Sequence, residues 1–325
     1  MKTIKISKLD NLITEQHNPR IESYGYKFIN GSSLYLMDRP NLNIFITEKC
    51  HNKCKFCIAR KDGKHEDTDI DFILDAIDLL KSSGIECEIT LTGGEPTLCL
   101  DKFIRVMDKC HSVGFKCRTV STTGYGLVKD SNALNKMRDY GFTHNINISR
   151  NDISQDGSNK VFGNEDNISV SDIAKIARYT NLNDMEMRLS CVILKGHVDT
   201  YEKLKEYCDT FARCGVENFL FRNHTGCNNS GDNEAFHYIT EDIRNDLTRY
   251  KNTDKFYIDM QMEYSISYFI MKILDSKYLV KIYDSDRITH RPVDFRVKSL
   301  SIRDNTLSVG FSGDVLHRKG DNING

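Results

Sequence analysis

Apolar positions in the first two thirds of the chain alternate between short strand-like runs and longer stretches with a helical period. The short runs are rich in Ile, Val, Phe and Thr, which is typical of buried strands. The predicted strands are Leu42–Thr47, Cys87–Thr92, Lys116–Ser121, His144–Ser149, Met187–Leu194 and Asn218–Arg222. The amphipathic stretches between them predict helices. These are Asp69–Lys81, Leu100–Ser112, Ser131–Asp139, Ser171–Tyr179 and Tyr201–Arg213.

This alternation predicts an α/β fold in which parallel strands are joined by helical crossovers. Right-handed crossovers would curl residues 41–226 into a partial (β/α)6 TIM-type barrel, whose functional loops gather at the carboxyl ends of the strands. Residues 1–40 show no clear period and are predicted to form a short N-terminal arm or hairpin against the barrel. Residues 227–325 are predicted to form a C-terminal α+β cap, helical over Thr240–Tyr278 and a hairpin over Val297–Leu316.

Composition narrows the class of protein without identifying it. A net charge of −1 over 325 residues gives no global attraction for DNA or RNA, so a nucleic-acid polymer is not expected as partner. No signal peptide and no apolar run of about 18 residues is present, so neither export nor membrane insertion is expected. Eleven cysteines without an export signal fit a reducing compartment, and a cytoplasmic location is expected.

The strongest chemical signal lies directly after the first predicted strand, where Cys50, Cys54 and Cys57 have the spacing C-x3-C-x-aromatic-C. Three thiolates on one short loop fit a [4Fe–4S] cube and leave its fourth iron open to another ligand. A structural zinc site would need a fourth protein ligand, and the nearby His51 and His65 are not at a zinc-finger spacing. Three cysteines cannot all pair with one another as disulfides, so a disulfide does not account for the motif.

A second motif follows the second predicted strand, as Thr92-Gly93-Gly94-Glu95-Pro96-Thr97. A Gly-Gly pair lets the backbone approach a ligand closely, because neither residue carries a Cβ atom. The carboxylate of Glu95, together with the exposed backbone groups of the turn, could then hold a cationic amino group.

Together the two motifs resemble those of the radical S-adenosylmethionine (SAM) superfamily. The resemblance implies that the three cysteines ligate a [4Fe–4S] cluster and that Gly93, Gly94, Glu95 and Pro96 bind the methionyl amine of SAM. It further implies that SAM chelates the open iron and is cleaved by one electron to methionine and a 5′-deoxyadenosyl radical, which abstracts hydrogen from substrate. The electron would come from a donor such as flavodoxin or ferredoxin. The protein positions the cofactors and excludes water.

The resemblance also nominates weaker cofactor contacts at the strand ends. Phe56 occupies the aromatic position of the cluster loop, where its backbone would lie near adenine; an ordinary core aromatic is the alternative for its side chain. Thr122, in the turn after the third strand, could contact SAM or belong to a plain turn. Ser149 and Arg150 end the fourth strand, where Arg150 could pair with a carboxylate or be a solvated loop charge. Ser190 on the fifth strand could meet the ribose or bond to backbone.

Within the superfamily, the sequence pattern from Met187 to Gly215 is most similar to that of the molybdenum-cofactor cyclase branch. No cysteine follows Cys227, however, so the auxiliary cluster of that branch is not expected and a single cluster is predicted. The resemblance implies an enzyme, and the compact C-terminal cap favours a small-molecule substrate, with nucleotide-like molecules among the candidates. A peptide substrate is one alternative, and a non-catalytic iron–sulfur or zinc scaffold is the other. The sequence names neither the substrate nor the bond that changes.

Overall fold

The computed structural model describes residues 6–7, 27–29, 32–34, 36–57, 65–140, 146–222, 232, 234–235, 238–239, 241–242, 265–273, 276–284 and 297–309. The strands are β1 (Ile6–Ser7), β2 (Lys27–Ile29), β3 (Ser32–Leu34), β4 (Leu36–Phe45), β5 (Glu88–Thr92), β6 (Lys116–Thr122), β7 (Ile146–Ser149), β8 (Met187–Val192), β9 (Asn218–Arg222), β10 (Ser265–Ile273), β11 (Ser276–Asp284), β12 (Val297–Arg303) and β13 (Thr306–Val309). The longer helices are α1 (Ile70–Ser82), α2 (Leu100–Ser112), α3 (Tyr125–Lys129), α4 (Asn132–Asp139), α5 (Gln155–Phe162), α6 (Val170–Leu182) and α7 (Tyr201–Arg213), and Pro96–Cys99 forms a 3₁₀ turn.

One sheet of 11 strands organises the described residues, in the order β1-β13-β12-β4-β5-β6-β7-β8-β9-β11-β10. The run from β4 to β9 is parallel and follows chain order, which is the arrangement that right-handed helical crossovers produce. The predicted α/β class, with its open arc of six parallel strands, is confirmed. The sheet does not close into a complete barrel, and β2 and β3 form a separate antiparallel hairpin.

The hydrophobic core lies between the sheet and the helices. Along β8, the buried Leu189 and Cys191 face the helical layer, where Tyr207 and Phe211 of α7 are fully buried. Side chains alternate across a strand, so Arg188 and Ser190 lie on the opposite face. Each large apolar side chain buried in this way contributes about 1.5–3 kcal/mol relative to exposure. The core therefore fixes which strand residues face away from the helices.

Most predicted element boundaries in the barrel agree with the structure to within a few residues. Helix α6 begins at a capping box, in which Ser169 and Asp172 each accept a hydrogen bond from the other's backbone N–H. Helix α7 begins at Thr200, whose hydroxyl accepts from the Lys203 N–H. The short helices α3 and α5 were not predicted. Helix α3 has only five residues, and α5 is largely polar and includes Gly157, a poor helix former. None of the described helices is long and apolar enough to cross a bilayer.

The C-terminal region differs from its prediction. Helix was predicted through Tyr278, but Ser265–Ile273 and Ser276–Asp284 are antiparallel strands, so the helical prediction is wrong over 265–273 and 276–278. The segment is rich in Ile, Tyr and Phe, which favour strands, and Leu274-Asp275 lies between the two paired segments. The rest of that predicted helix, apart from residues 241–242, lies outside the described residues. The predicted hairpin is confirmed over 297–309, and 310–316 lie outside the described residues.

These C-terminal strands extend the barrel sheet at both sides. Strand β11 pairs with β9 in parallel, and β12 pairs with β4 in parallel. The short β1 pairs with β13 in parallel, so Ile6 and Ser7 also join this sheet. The division of the chain at residues 40 and 226 stays a prediction, although the sheet itself runs across both boundaries.

Candidate active site

The predicted site residues lie at the carboxyl ends of neighbouring parallel strands. The loop with the three cysteines follows β4, the Gly93-Gly94-Glu95 turn follows β5, and Thr122 ends β6. Ser149 ends β7 beside Ser190 of β8, its register partner. Parallel strands bring such ends to one edge of the sheet. The fold therefore gathers the two motifs that the sequence places 35 to 45 residues apart.

The two glycines of the turn pack against the beginning of the cysteine loop. Gly93 has φ +140°, and a Cβ atom there would lie 2.3 Å from the Thr47 carbonyl oxygen. A Cβ atom on Gly94 would lie 2.3 Å from the Lys49 carbonyl oxygen. The Gly94 N–H donates to Thr47 O at 2.7 Å and the Glu95 N–H donates to Lys49 O at 2.8 Å. Glycine at both positions thus allows the two motifs to pack against each other. The sequence had predicted that the glycines allow close approach of a ligand instead.

Gly94→Ala is expected to separate the turn from the cysteine loop. The added methyl group would overlap backbone atoms on both sides of Lys49, and backbone cannot rotate away as a side chain can. Overpacking of this kind costs about 1–3 kcal/mol or more. Urea unfolding of the metal-free protein measures the loss. Gly114→Ala is the control for glycine replacement, since no atom lies within 4 Å of a Cβ placed there, although its φ of +78° adds backbone strain. A smaller loss for Gly94→Ala than for Gly114→Ala would contradict the packing argument.

The carboxylate of Glu95 is fully buried and accepts hydrogen bonds at both oxygens. Oε1 accepts from the Thr97 hydroxyl at 2.5 Å, the Thr97 N–H at 3.1 Å and the Thr122 hydroxyl at 2.5 Å. Oε2 accepts from the Thr123 N–H at 2.6 Å and the Thr123 hydroxyl at 2.7 Å. These partners are threonine hydroxyls and backbone N–H groups. Together they link the turn after β5 to the turn after β6.

This network extends to two further backbone groups. The Gly126 N–H donates to the Thr97 hydroxyl and the Gly124 N–H donates to the Thr122 hydroxyl, both at 2.9 Å. A carboxylate offers about four lone-pair positions, so the threonines and N–H groups saturate Glu95. An ammonium group that reached its side chain would displace a threonine hydroxyl. Thr122 was predicted as a cofactor contact, but Thr97 and Thr123 were not predicted as members of this network. Thr97 lies only two residues after Glu95 in sequence, whereas no local signal places Thr123, 28 residues away, beside it.

The cysteine loop is held from two sides by the barrel. The ring of His51 lies 4.5 Å from the ring of Tyr125 on α3. The Lys53 N–H donates to Phe162 O at 2.7 Å at the end of α5, and the Asn164 amide donates to Asn52 Oδ1 at 3.1 Å. Burial lowers the pKa of His51, an effect that the carboxylates of Glu95 and Asp166 partly oppose. The loop is therefore anchored on both short helices that the sequence analysis missed.

Cys50, Cys54 and Cys57 form no disulfide, and all three are half-buried. Their donor chemistry fits a [4Fe–4S] cluster, in which each thiolate binds a different iron and one iron stays open. Within the described ranges, no group of three or more His, Cys, Asp or Glu side chains is placed to hold a single metal ion. The assignment of the cluster to these cysteines rests on the loop and its donor set, and stays a prediction.

Arg150 is buried, with 1% of its surface exposed, so the alternative of a solvated loop charge is wrong. Its guanidinium donates to the carbonyl oxygens of Asp152 at 2.9 Å, Ser154 at 3.0 Å and Ile168 at 3.1 Å. Longer bonds reach Ile153 O and Gln155 Oε1. Burial lowers the pKa of Arg150, against the attraction of Tyr207 and Asp152. These contacts, to the β7–α5 connection, the first residue of α5 and the segment before α6, account for its donors. A cofactor contact by Arg150 stays a prediction.

The sheet face opposite the helices carries polar side chains on several strands, and we call it the polar face. It is defined by residues that alternate with the apolar core residues: Asn43, Thr90, Asn147, Ser149, Arg188 and Ser190. Arg188 Nε donates to Asn147 Oδ1 at 3.2 Å. Ser190 is 7% exposed and lies beside Ser149 on this face. Their predicted SAM contacts stay predictions, as does that of Phe56, which is half-buried in the cysteine loop.

A family model described as the radical SAM superfamily matches residues 44–211, just over half of the chain. The chain belongs to the radical SAM superfamily. Members of this superfamily use SAM and a [4Fe–4S] cluster, and these are its cofactors. The superfamily resemblance is confirmed, whereas the finer likeness to the molybdenum-cofactor cyclase branch stays a prediction.

Relatives of this radical SAM chain carry a more specific name. It is 36% identical over 80 residues to an S-adenosylmethionine-dependent nucleotide dehydratase of Selenomonas ruminantium, a match covering 25% of this chain and 28% of that protein. It is 28% identical over 152 residues to a protein of the same name from Flammeovirga pacifica, covering 43% of this chain and 47% of that protein. The chain thus matches less than half the length of either relative.

Among solved structures, the chain is similar in fold to Streptococcus suis SuiB bound to its precursor peptide SuiA. The TM-score is 0.50 at 17% identity, over 67% of this chain and 48% of SuiB. At this identity the likeness supports the fold alone. It agrees with the open parallel sheet described above.

Proposed function

We propose that this chain is a radical SAM enzyme that uses a single [4Fe–4S] cluster at Cys50, Cys54 and Cys57 to act on a nucleotide. When bound, the reduced cluster and SAM supply a 5′-deoxyadenosyl radical that abstracts hydrogen from substrate. The curated relatives are named nucleotide dehydratases, so loss of water from the nucleotide is the proposed outcome. A donor of the flavodoxin or ferredoxin kind supplies the electrons.

The polar face is the observation that carries the choice of substrate class. It lies on the side of the sheet away from the helices. Ser149 and Ser190 lie toward the carboxyl ends of β7 and β8, where both motifs lie, and Arg188 lies two residues before Ser190 in β8. Arg188 places a guanidinium there, and guanidinium groups pair with phosphate oxygens in a bidentate manner. Because the chain has a net charge of only −1, attraction for a phosphate must be local. A face of hydroxyls, amides and one guanidinium suits a ribose phosphate.

In this proposal the residues of the chain position SAM and shield the radical from water. The turn at Gly93 and Gly94 binds SAM through its backbone, while Glu95 and its threonines hold that turn in place. Ser149 and Ser190 present neighbouring hydroxyls at the strand ends for the ribose of SAM. Exclusion of water keeps the radical from side reactions. The three-part division of the chain, with residues 227–325 as a cap, belongs to this proposal.

The test uses the full chain, reconstituted with iron and sulfide without oxygen and reduced with dithionite. Ribonucleoside and deoxyribonucleoside triphosphates are supplied singly, and 5′-deoxyadenosine and nucleotide masses are measured. We expect one nucleotide to stimulate 5′-deoxyadenosine formation and to yield a product lighter by one water. Stimulation by a ribosomal peptide instead would favour the peptide alternative. Zinc without iron after reconstitution would favour the scaffold alternative.

Arg188→Met is expected to weaken use of the nucleotide while sparing SAM cleavage without substrate. Loss of a hydrogen bond to a charged group costs about 1.5–3 kcal/mol, so the nucleotide concentration for half-maximal stimulation should rise about ten- to a hundred-fold. The matched control is Arg213→Met, an exposed arginine at the end of α7. An Arg188→Met enzyme with wild-type nucleotide dependence would remove Arg188 from the phosphate site.

A further inference from the structure

The turn between β12 and β13 contacts the cysteine loop at both of its ends. Arg303, the last residue of β12, forms a bidentate ion pair with Glu48, two residues before Cys50. Arg303 Nε lies 2.8 Å from Glu48 Oε1 and Nη2 lies 2.7 Å from Oε2. The two side chains are only 6% and 14% exposed. The guanidinium also lies 4.5 Å from the ring centre of Phe45, which ends β4.

The two turn residues reach the other end of the loop, where the chain returns to α1. Asp304 Oδ2 lies 2.6 Å from His65 Nδ1, and Asp304 Oδ1 accepts from the Glu66 N–H at 2.8 Å. Asn305 Oδ1 accepts from the Asp69 N–H at 2.7 Å. Three consecutive residues, from a segment more than 230 positions away in sequence, therefore bind both sides of the cysteine loop.

The backbone of this turn is suited to that task. Asp304 and Asn305 both have φ +51°, the left-handed conformation required at both central positions of a two-residue type I′ hairpin. Asn and Asp are the residues other than Gly that adopt it most readily. Gly at these positions would keep the turn but lose the side-chain contacts. Asp and Asn supply both the conformation and oxygen acceptors directed at the loop.

The two ends of the loop also bind each other, which makes the arrangement a closed unit. Asp67 Oδ1 accepts from the Glu48 N–H at 2.6 Å and from the Thr47 hydroxyl at 2.8 Å. Burial alone would raise the pKa of Asp67, but these hydrogen bonds and the charges of Lys102 and Lys49 hold it below its ordinary value. Arg303 binds one side of this junction and Asp304 the other.

We infer that Arg303, Asp304 and Asn305 form a clamp that positions the cysteine loop for cluster retention, an inference that rests on the proposed assignment of the cluster to that loop. The clamp lies outside the segment matched by the superfamily model, which ends at residue 211. Its residues are positioning residues, because they act through the loop. Without them the three thiols would sample more arrangements and release iron faster.

The test is a double variant, Asp304→Gly with Asn305→Gly, which preserves the turn conformation and removes three contacts. The matched control is Asp184→Gly, an exposed residue with φ 52° in the turn after α6. Reconstituted proteins are mixed with a chromogenic iron chelator, and iron release is followed without oxygen. We expect release about tenfold faster for the double variant, the effect of losing about one charge-assisted hydrogen bond. The control should release iron at the wild-type rate.

A second readout separates positioning from general stability. The metal-free proteins are treated with iodoacetamide, and modification of Cys50, Cys54 and Cys57 is followed by mass spectrometry alongside urea unfolding. We expect faster alkylation of these cysteines in the double variant with an unfolding midpoint equal to that of the control. Arg303→Met should behave similarly, with Arg303→Lys partly restoring slow iron release.

Iron release at the wild-type rate in the double variant would overturn the clamp. So would faster release accompanied by an unfolding midpoint well below that of Asp184→Gly, since the turn would then act on the fold as a whole. A wild-type protein that binds no iron would instead reject the cluster assignment. Absence of nucleotide turnover would reject the proposed function alone and leave the iron measurements valid.

Discussion

Cys54→Ala is expected to remove most of the bound iron and all reductive cleavage of SAM. Each of the three thiolates would bind a separate iron of one cube, so loss of one leaves two of the four irons without a protein ligand. The loop has no further cysteine to take its place, since Cys50 and Cys57 are the other two proposed ligands. Iron and sulfide analysis after reconstitution measures the first effect, and 5′-deoxyadenosine formation under dithionite measures the second.

The matched control for this substitution is Cys214→Ala. Cys214 is a free, half-buried cysteine at the end of α7, and burial raises the pKa of its thiol. It should retain about four irons per chain, the content of one cube. Cys227→Ala, the last cysteine of the sequence, should do the same. SAM cleavage that persists in Cys54→Ala would show that the ligand set is different.

The barrel was predictable because the apolar runs of its strands and the apolar stripes of its helices alternate clearly along the chain. Strands such as Glu88–Thr92 combine buried Ile and Leu with a turn motif, and helices such as Leu100–Ser112 have a clear apolar stripe. The apolar positions that set the local period are the same positions that the fold buries, so the sequence pattern predicts each element directly. The C-terminal strands could not be predicted in this way, because the apolar positions of Ser265–Ile273 fit both the period of a strand and that of a helix. Only its pairing with Ser276–Asp284 decides between helix and strand.

The site was predictable in its motifs but not in its supports. The cysteine spacing and the Gly93-Gly94-Glu95 turn are local in sequence and could be recognised directly. The contacts that hold them come from residues distant in sequence: Thr123 reaches Glu95 across 28 positions, and Arg303 reaches Glu48 across 255. A single sequence carries no record of which strands will be neighbours. Arg150 illustrates the same limit, because the carbonyl groups that accept its hydrogen bonds come together only once the chain has folded around α5.

Substitution of Glu95 tests two roles that could not be separated from the sequence: direct contact with SAM and support of the turn. Glu95→Ala removes the acceptor of five hydrogen bonds in a fully buried site and leaves threonine hydroxyls and N–H groups without their partner. Each unsatisfied buried group costs about 1–3 kcal/mol before relaxation. We expect the unfolding free energy of the metal-free protein to fall by about 3 kcal/mol or more. SAM affinity of the reconstituted protein should fall about ten- to a hundred-fold.

Further variants divide those effects. Glu206→Ala, an exposed position on α7, controls for loss of a negative charge and should change neither quantity. Thr123→Val removes one hydroxyl donor while leaving the carboxylate, and Thr123→Ser keeps the donor. If Glu95 acts by supporting the turn, Thr123→Val should weaken SAM binding and Thr123→Ser should restore it. If Glu95 binds the amine directly, SAM affinity should stay unchanged in Thr123→Val, because the carboxylate keeps its charge. An unfolding free energy unchanged in Glu95→Ala would contradict the buried network itself.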